Sequence, residues 1–185
     1  LHPEIDPLLK MAIAHYQFEA IHPFTDGNGR TGRILNLLYL VDQGLLSQPV
    51  LYLSRYILAN KAEYYLLLAG VTQRAAWKPW LLFMMEAVER TAKQTNQMID
   101  DIMDQKEATL LLAKSKIPWY SSEFNDLLFS QPYVKQDRFK EVLKIKSRTT
   151  LVKYANELMT HGIVSSFYDK KEVYYINNDL VRILA

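Results

Sequence analysis

The chain has 185 residues, 22 Lys and Arg against 20 Asp and Glu, a formal charge of +2 and no cysteine. That length fits one domain or two small ones with real cores, and 49% hydrophobic with 23% charged residues is globular usage, not that of a disordered chain. The missing cysteines exclude a disulfide scaffold, a thiolate nucleophile and thiolate-held zinc or iron–sulfur groups. The longest apolar stretch, Leu81 to Met85, is too short to span a bilayer. No signal-peptide pattern opens the chain, so a cytoplasmic location without membrane contact is the expectation.

Leu8, Leu9, Ala12, Ile13, Tyr16 and Ala20 recur at helical spacing and predict a helix from Pro7 to Ile21. A loop from His22 to Gly29 follows. Ile34, Leu35, Leu37, Leu38, Leu40 and Val41 then predict a second helix, ended by Gly44 and apolar nearly all round, hence a central buried one. Ser54 is read as the N-cap of a helix towards Asn60, and Lys61 to Val71 as a further helix. Pro79 suits the first turn of a long helix through Met103 towards Ala113.

The character changes at Lys116-Ile117-Pro118. Helices are expected at Glu123 to Phe129, at Asp137 to Leu143 and from Ser147 to near Gly162. Ile163 to Phe167 and Val173 to Ile176 read as strands joined by Tyr168 to Glu172. Helix, helix, helix and hairpin in this order resemble a winged helix-turn-helix. The expected fold is therefore mainly α: a helical bundle over 1–113, then a small α+β winged domain over 114–185.

His22-Pro23-Phe24-Thr25-Asp26-Gly27-Asn28-Gly29-Arg30-Thr31-Gly32-Arg33 carries the chemistry. Gly-Asn-Gly turns tightly and lets backbone N–H groups converge. The loop opens into a helix, whose start adds unpaired donors and a positive dipole end. Arg30 and Arg33, three positions apart, lie over one side of that first turn. Together these form a phosphate site. Asp26 is a hard oxygen ligand suited to the Mg²⁺ that accompanies a nucleotide, and His22 supplies an imidazole base. Each part alone is more often a dipole partner, a turn or a solvated arginine. Eight such positions at fixed spacing have a chance on the order of 10⁻¹⁰ per register under even residue usage.

The segment resembles, without a mismatch, the His-x-Phe-x-Asp-Gly-Asn-Gly-Arg-x-x-Arg signature of the Fic family. Tyr52-Leu53-Ser54, Lys61-Ala62-Glu63-Tyr64-Tyr65 and the Trp77 to Met84 stretch are similar to its bacterial members. The resemblance implies a Fic-type bundle and a protein adenylyltransferase, which moves AMP from ATP to a Ser, Thr or Tyr hydroxyl of a protein and releases pyrophosphate. It implies His22 as general base, Asp26 as holder of Mg²⁺, and Gly27, Asn28 and Gly29 as the anion hole, with the Asn28 amide added. Arg30 and Arg33 would bind the outer phosphates, with Thr31 and Gly32 between them in the ATP site. Phe24 is expected as a buried anchor. Tyr64 and Tyr65 fall where the family lines its adenine pocket, Tyr65 being the better choice, with Asn60 a weaker candidate. Gly29 stands where a phosphate-transferring branch carries Lys, which favours AMP transfer. The family's target-docking flap and its inhibitory Ser/Thr-x-x-x-Glu-Gly/Asn helix are not seen in the sequence, and a longer protein preceding Leu1 is the expectation.

The basic residues Lys135, Arg138, Lys140, Lys144, Lys146, Arg148 and Lys153 face only Asp137 and Glu141, a local charge of +5, with Lys170 and Lys171 at the wing tip. DNA contact through the third helix is one reading. A solvated basic face used for protein contacts or a homodimer is the other, and the total of +2 favours it. The competing functional reading is a DNA-binding regulator whose Fic-like half senses nucleotide or is inert. The protein target, which includes the chain itself, is not legible.

Overall fold

The computed structural model describes residues 4–170 and 172–185, so Lys171 of the expected wing tip lies outside the described residues. Two compact units divide the chain, Leu1–Asn96 and Gln97–Ala185. The first holds α1 (Pro7–Ile21), α2 (Asn28–Asp42), α3 (Leu53–Ala59), α4 (Lys61–Arg74) and the start of α5 (Trp77–Lys116). The change of character at Lys116 marks the end of α5, a helix that runs through the division between the units.

Asp6 starts α1 by accepting from the Leu8 N–H at 2.8 Å, with Pro7 in the first turn, where its missing N–H costs nothing. The core of this unit gathers Met11 and Ala12 of α1, Leu40 of α2, Leu53 and Ile57 of α3, Tyr64 of α4, and Trp80, Phe83 and Met84 of α5. Trp80 is fully buried and its indole N–H is satisfied by the Ala12 carbonyl at 3.0 Å, which ties α5 to α1. Helix α2 departs from expectation. Its buried residues are Asn28, Gly32, Asn36 and Leu40, while Ile34, Leu35 and Leu38 are exposed. One stripe is buried, Leu37 and Tyr39 pack part-buried against the core, and the face of Ile34, Leu35 and Leu38 is open.

The second unit contains the end of α5, then α6 (Ser122–Ser130), β1 (Tyr133–Lys135), α7 (Gln136–Val142), α8 (Arg148–Thr160), β2 (Val164–Asp169), β3 (Glu172–Asn177) and α9 (Asn178–Leu184). The strands form an antiparallel sheet in the order β1-β3-β2, with Tyr133 opposite Ile176 and Ser166 opposite Tyr175. Phe124, Leu128, Phe139, Leu151, Leu158 and Tyr175 fill its core. The buried Asn177 caps α9 through the Leu180 N–H and donates to the Leu128 carbonyl, joining the end of the central strand β3 to α6 and α9. The chain is thus a mainly helical protein with a small α+β part, as the sequence predicts. Strand β1 and helix α9 go beyond that prediction; three and seven residues are too short for periodicity to show. Among the described residues no helix is long and apolar enough to cross a membrane.

Candidate functional site

Helix α1 stops at His22, whose backbone is left-handed, with φ 51°, and whose N–H is donated to the Phe18 carbonyl at 3.0 Å. Such a conformation is uncommon outside glycine. Here it turns the chain sharply out of the helix, and His22 is left exposed at the mouth of the loop.

The loop is closed from within. The Phe24 N–H donates to Asn28 Oδ1 at 2.9 Å, and Asn28 Nδ2 donates to the Phe24 carbonyl at 2.6 Å. Asn28 is buried. One N–H of its amide, expected to face phosphate, is donated within the loop. Phe24 is half exposed, with its ring centroid 6.2 Å from that of Phe18, so it is not the buried anchor the resemblance suggests. The clamp is the asparagine.

Gly27 takes φ 83° and starts α2, a backbone conformation that a side chain would strain. No side chain caps α2, so the orphan donors of its first turn have no side-chain competitor. Asp26 is exposed, its Oδ1 accepting from the Gly27 N–H at 2.7 Å and its Oδ2 from Arg30 Nη2 at 3.3 Å. That exposed ion pair is worth at most about 1 kcal/mol and yields readily to a better partner. Arg33 is held differently: its Nε–H is donated to Ser54 Oγ at 2.9 Å. Ser54 therefore does not cap α3, as the sequence suggested; the cap residue is Tyr52, without a side-chain bond.

Behind the loop, α1 and α2 meet at Gly32. A Cβ there would lie 2.5 Å from Glu19 Oε1 and 3.1 Å from His15 Cε1. Thr31 is half-buried beside it. His15 donates to or accepts from the Tyr64 hydroxyl at 3.0 Å and stacks on Trp80. Burial lowers its pKa to about 4, the Arg33 charge adding to the effect while the Gly32 backbone opposes it. Glu19 Oε1 is buried without a hydrogen-bond partner. Burial raises its pKa, against the pull of Arg33 and then His22. Sequence reading passed over both residues, and the spacing His15, Glu19, His22 along one face of α1 was the available signal.

The two candidate tyrosines separate. Tyr64 is buried, and burial raises its pKa. Tyr65 is 55% exposed, with Lys61 Nζ 6.0 Å from its ring centre. The Asn60 side chain donates to the Tyr56 carbonyl. No three His, Asp or Glu residues converge as a metal cage among the described residues.

Residues 1–40 match the Fic/DOC family model, and residues 102–180 match that of the C-terminal domain of SoFic-like protein adenylyltransferases. The protein adenylyltransferase fic-1 of Caenorhabditis elegans is 31% identical over 117 residues, covering 61% of this chain and 22% of the relative. A probable protein adenylyltransferase of Aquifex aeolicus, aq_aa38, is 51% identical over 55 residues, covering 30% and 17%. The chain thus spans about a fifth of the length of the curated relatives it matches. Among solved structures, a Fic family protein from Desulfovibrio desulfuricans G20 aligns with 96% of this chain and 51% of its own, at 23% identity and a TM-score of 0.49. The two matches make the chain similar to Fic/DOC proteins over residues 1–40 and to the C-terminal domain of SoFic-like protein adenylyltransferases over residues 102–180.

Proposed function

We propose that the chain carries the catalytic segment and a SoFic-like C-terminal domain of a protein adenylyltransferase that moves AMP from ATP to a Ser, Thr or Tyr hydroxyl of a protein. The observation that carries this reading is the uncapped start of α2, with its left-handed Gly27 and the Arg33 fork beside it, six residues after an exposed histidine. In this reading the target oxygen attacks the α-phosphorus of ATP. His22 takes the hydroxyl proton, the new P–O bond forms, and the bond to the β-phosphate oxygen breaks with release of pyrophosphate. The α2 N–H groups of Asn28 and Gly29 hold phosphate oxygens. Arg30 and Arg33 neutralise the outer phosphates. Such transfer depends mainly on positioning and charge.

Asp26 fits Mg²⁺: a single exposed carboxylate, released from its weak pairing with Arg30, suits an ion that keeps its other positions for phosphate and water. The ion would neutralise phosphate charge. Tyr65, exposed beside Lys61 and preceded by Asn60, is assigned to the adenine side; the buried Tyr64 is assigned to the core.

The partner is a hydroxyl-bearing protein, a second copy of this chain included. The second unit is read as a winged helix that docks partners. Its alternative use in holding DNA has one specific observation in its favour. Arg138 and Lys140 are neutralised by Glu141 and Asp137, and Lys153 pairs with Glu157 at 4.0 Å, which leaves Lys144, Lys146 and Arg148 as a stretch without an acid.

Incubation with Mg²⁺ and ATP labelled on either the α- or the γ-phosphate tests the proposal. Protein label is expected from α-labelled ATP alone. Label from γ-labelled ATP alone would overturn it in favour of phosphate transfer.

A further inference from the structure

Arg30 and Arg33 carry the same guanidinium but are held differently. Arg30 is exposed, and its partner is the still more exposed Asp26. Arg33 is half-buried, and its Nε–H is donated to Ser54 Oγ at 2.9 Å, from the first turn of α3, 21 residues along the chain. The serine takes the one N–H that points back along the side chain. The four N–H groups of the two terminal nitrogens make no other bond among the described residues. Nη1 lies 3.1 Å from the point that a Cβ on Gly29 would occupy. The fork is therefore parked over the first turn of α2, where the backbone donors are, and the glycine leaves room for it.

Resting on the adenylyl-transfer reading, we infer that Ser54 is the positioning residue for Arg33, fixing the fork where the outer phosphates of ATP arrive. A guanidinium fixed before binding loses less rotamer freedom when it takes a phosphate. Ser54 then acts on ATP and not on AMP, which has no outer phosphates. A serine that merely packs α3 against α2 would affect both nucleotides alike.

The test is calorimetric titration of the full chain with ATP and, separately, with AMP. The proteins are wild type, Ser54→Ala, Ser54→Thr and Ser54→Val. Thr and Val share a shape and differ by the hydroxyl, so they keep the comparison sound where Ala loosens the fold. Ala and Val are expected to weaken ATP about five- to tenfold, to leave AMP within about twofold, and Thr is expected to retain ATP affinity. In an Arg33→Ala background the Ser54→Val change should cost nothing further. Wild-type binding of ATP with an unaffected Ser54→Val variant overturns the inference alone, as does equal weakening of ATP and AMP. A wild-type chain that binds neither nucleotide overturns the adenylyl-transfer reading and this inference with it.

Discussion

Asn28 is bonded twice to the backbone of Phe24, accepting from its N–H at 2.9 Å and donating to its carbonyl at 2.6 Å. The pair turns the five residues from Phe24 to Asn28 into a closed ring that presents Thr25 and Asp26 outwards. An alanine at 28 leaves both Phe24 groups without these partners. Asn28→Ala is expected to lower stability by about 1–3 kcal/mol and to abolish transfer, read by thermal unfolding and by label incorporation. Full activity in a stable Asn28→Ala variant would show that the loop holds its shape by other means.

His15 makes stability depend on pH. Its folded pKa is depressed from 6.5 to about 4, so its contribution is present above 6.5 and is lost as pH falls towards 4. The loss over that window is about 3 kcal/mol. Glu19 works the other way: its raised pKa makes its contribution greatest at low pH and loses it as pH rises above 4.5. The difference between wild type and His15→Gln in urea unfolding at several pH values therefore isolates the imidazole. It should shrink between pH 6.5 and 4. A constant difference would remove His15 from the account.

Gly32 is where α1 and α2 touch. Gly32→Ala places a methyl 2.5 Å from Glu19 Oε1 and 3.1 Å from His15 Cε1. The expected cost is about 1–3 kcal/mol. Adding Glu19→Ala should recover part of it, because the shorter contact goes while the ring contact remains. A double-mutant cycle by thermal unfolding reads the coupling, and strict additivity would contradict the contact.

The adjacent tyrosines should divide stability from binding. Tyr64→Phe removes the hydroxyl bonded to His15 and is expected to cost about 1 kcal/mol of stability with little change in ATP affinity. Tyr65→Ala, at an exposed position, is expected to leave the unfolding midpoint nearly unchanged and to weaken ATP binding several-fold. The opposite pattern would place the adenine on the other ring.

How far the sequence reaches follows from what periodicity can see. Helix α1 was legible to the residue because Pro7 and the His22 turn bracket a regular stripe. The motif named the candidate phosphate-binding side chains, but not that Asn28 bonds the Phe24 backbone or that Phe24 stays exposed, since both depend on how the loop closes. Ser54 read as a cap because a serine before an apolar turn usually is one. Its real bond, to Arg33, spans 21 residues and has no local signature. Helix α2 read as buried on every side because apolar content does not say which faces find a neighbour. The basic span also changed meaning, since Asp137 and Glu141 sit one helical turn from the cations they neutralise.

The central claim is that His22 is the base of an AMP transfer. Intact-protein mass spectrometry after incubation with ATP and Mg²⁺ tests it most directly, comparing wild type with His22→Ala on the chain itself and on proteins of a cell lysate. The account predicts a mass increment of one AMP with wild type and none with His22→Ala, both proteins being folded and binding ATP alike. AMP incorporation that persists undiminished in His22→Ala would contradict it.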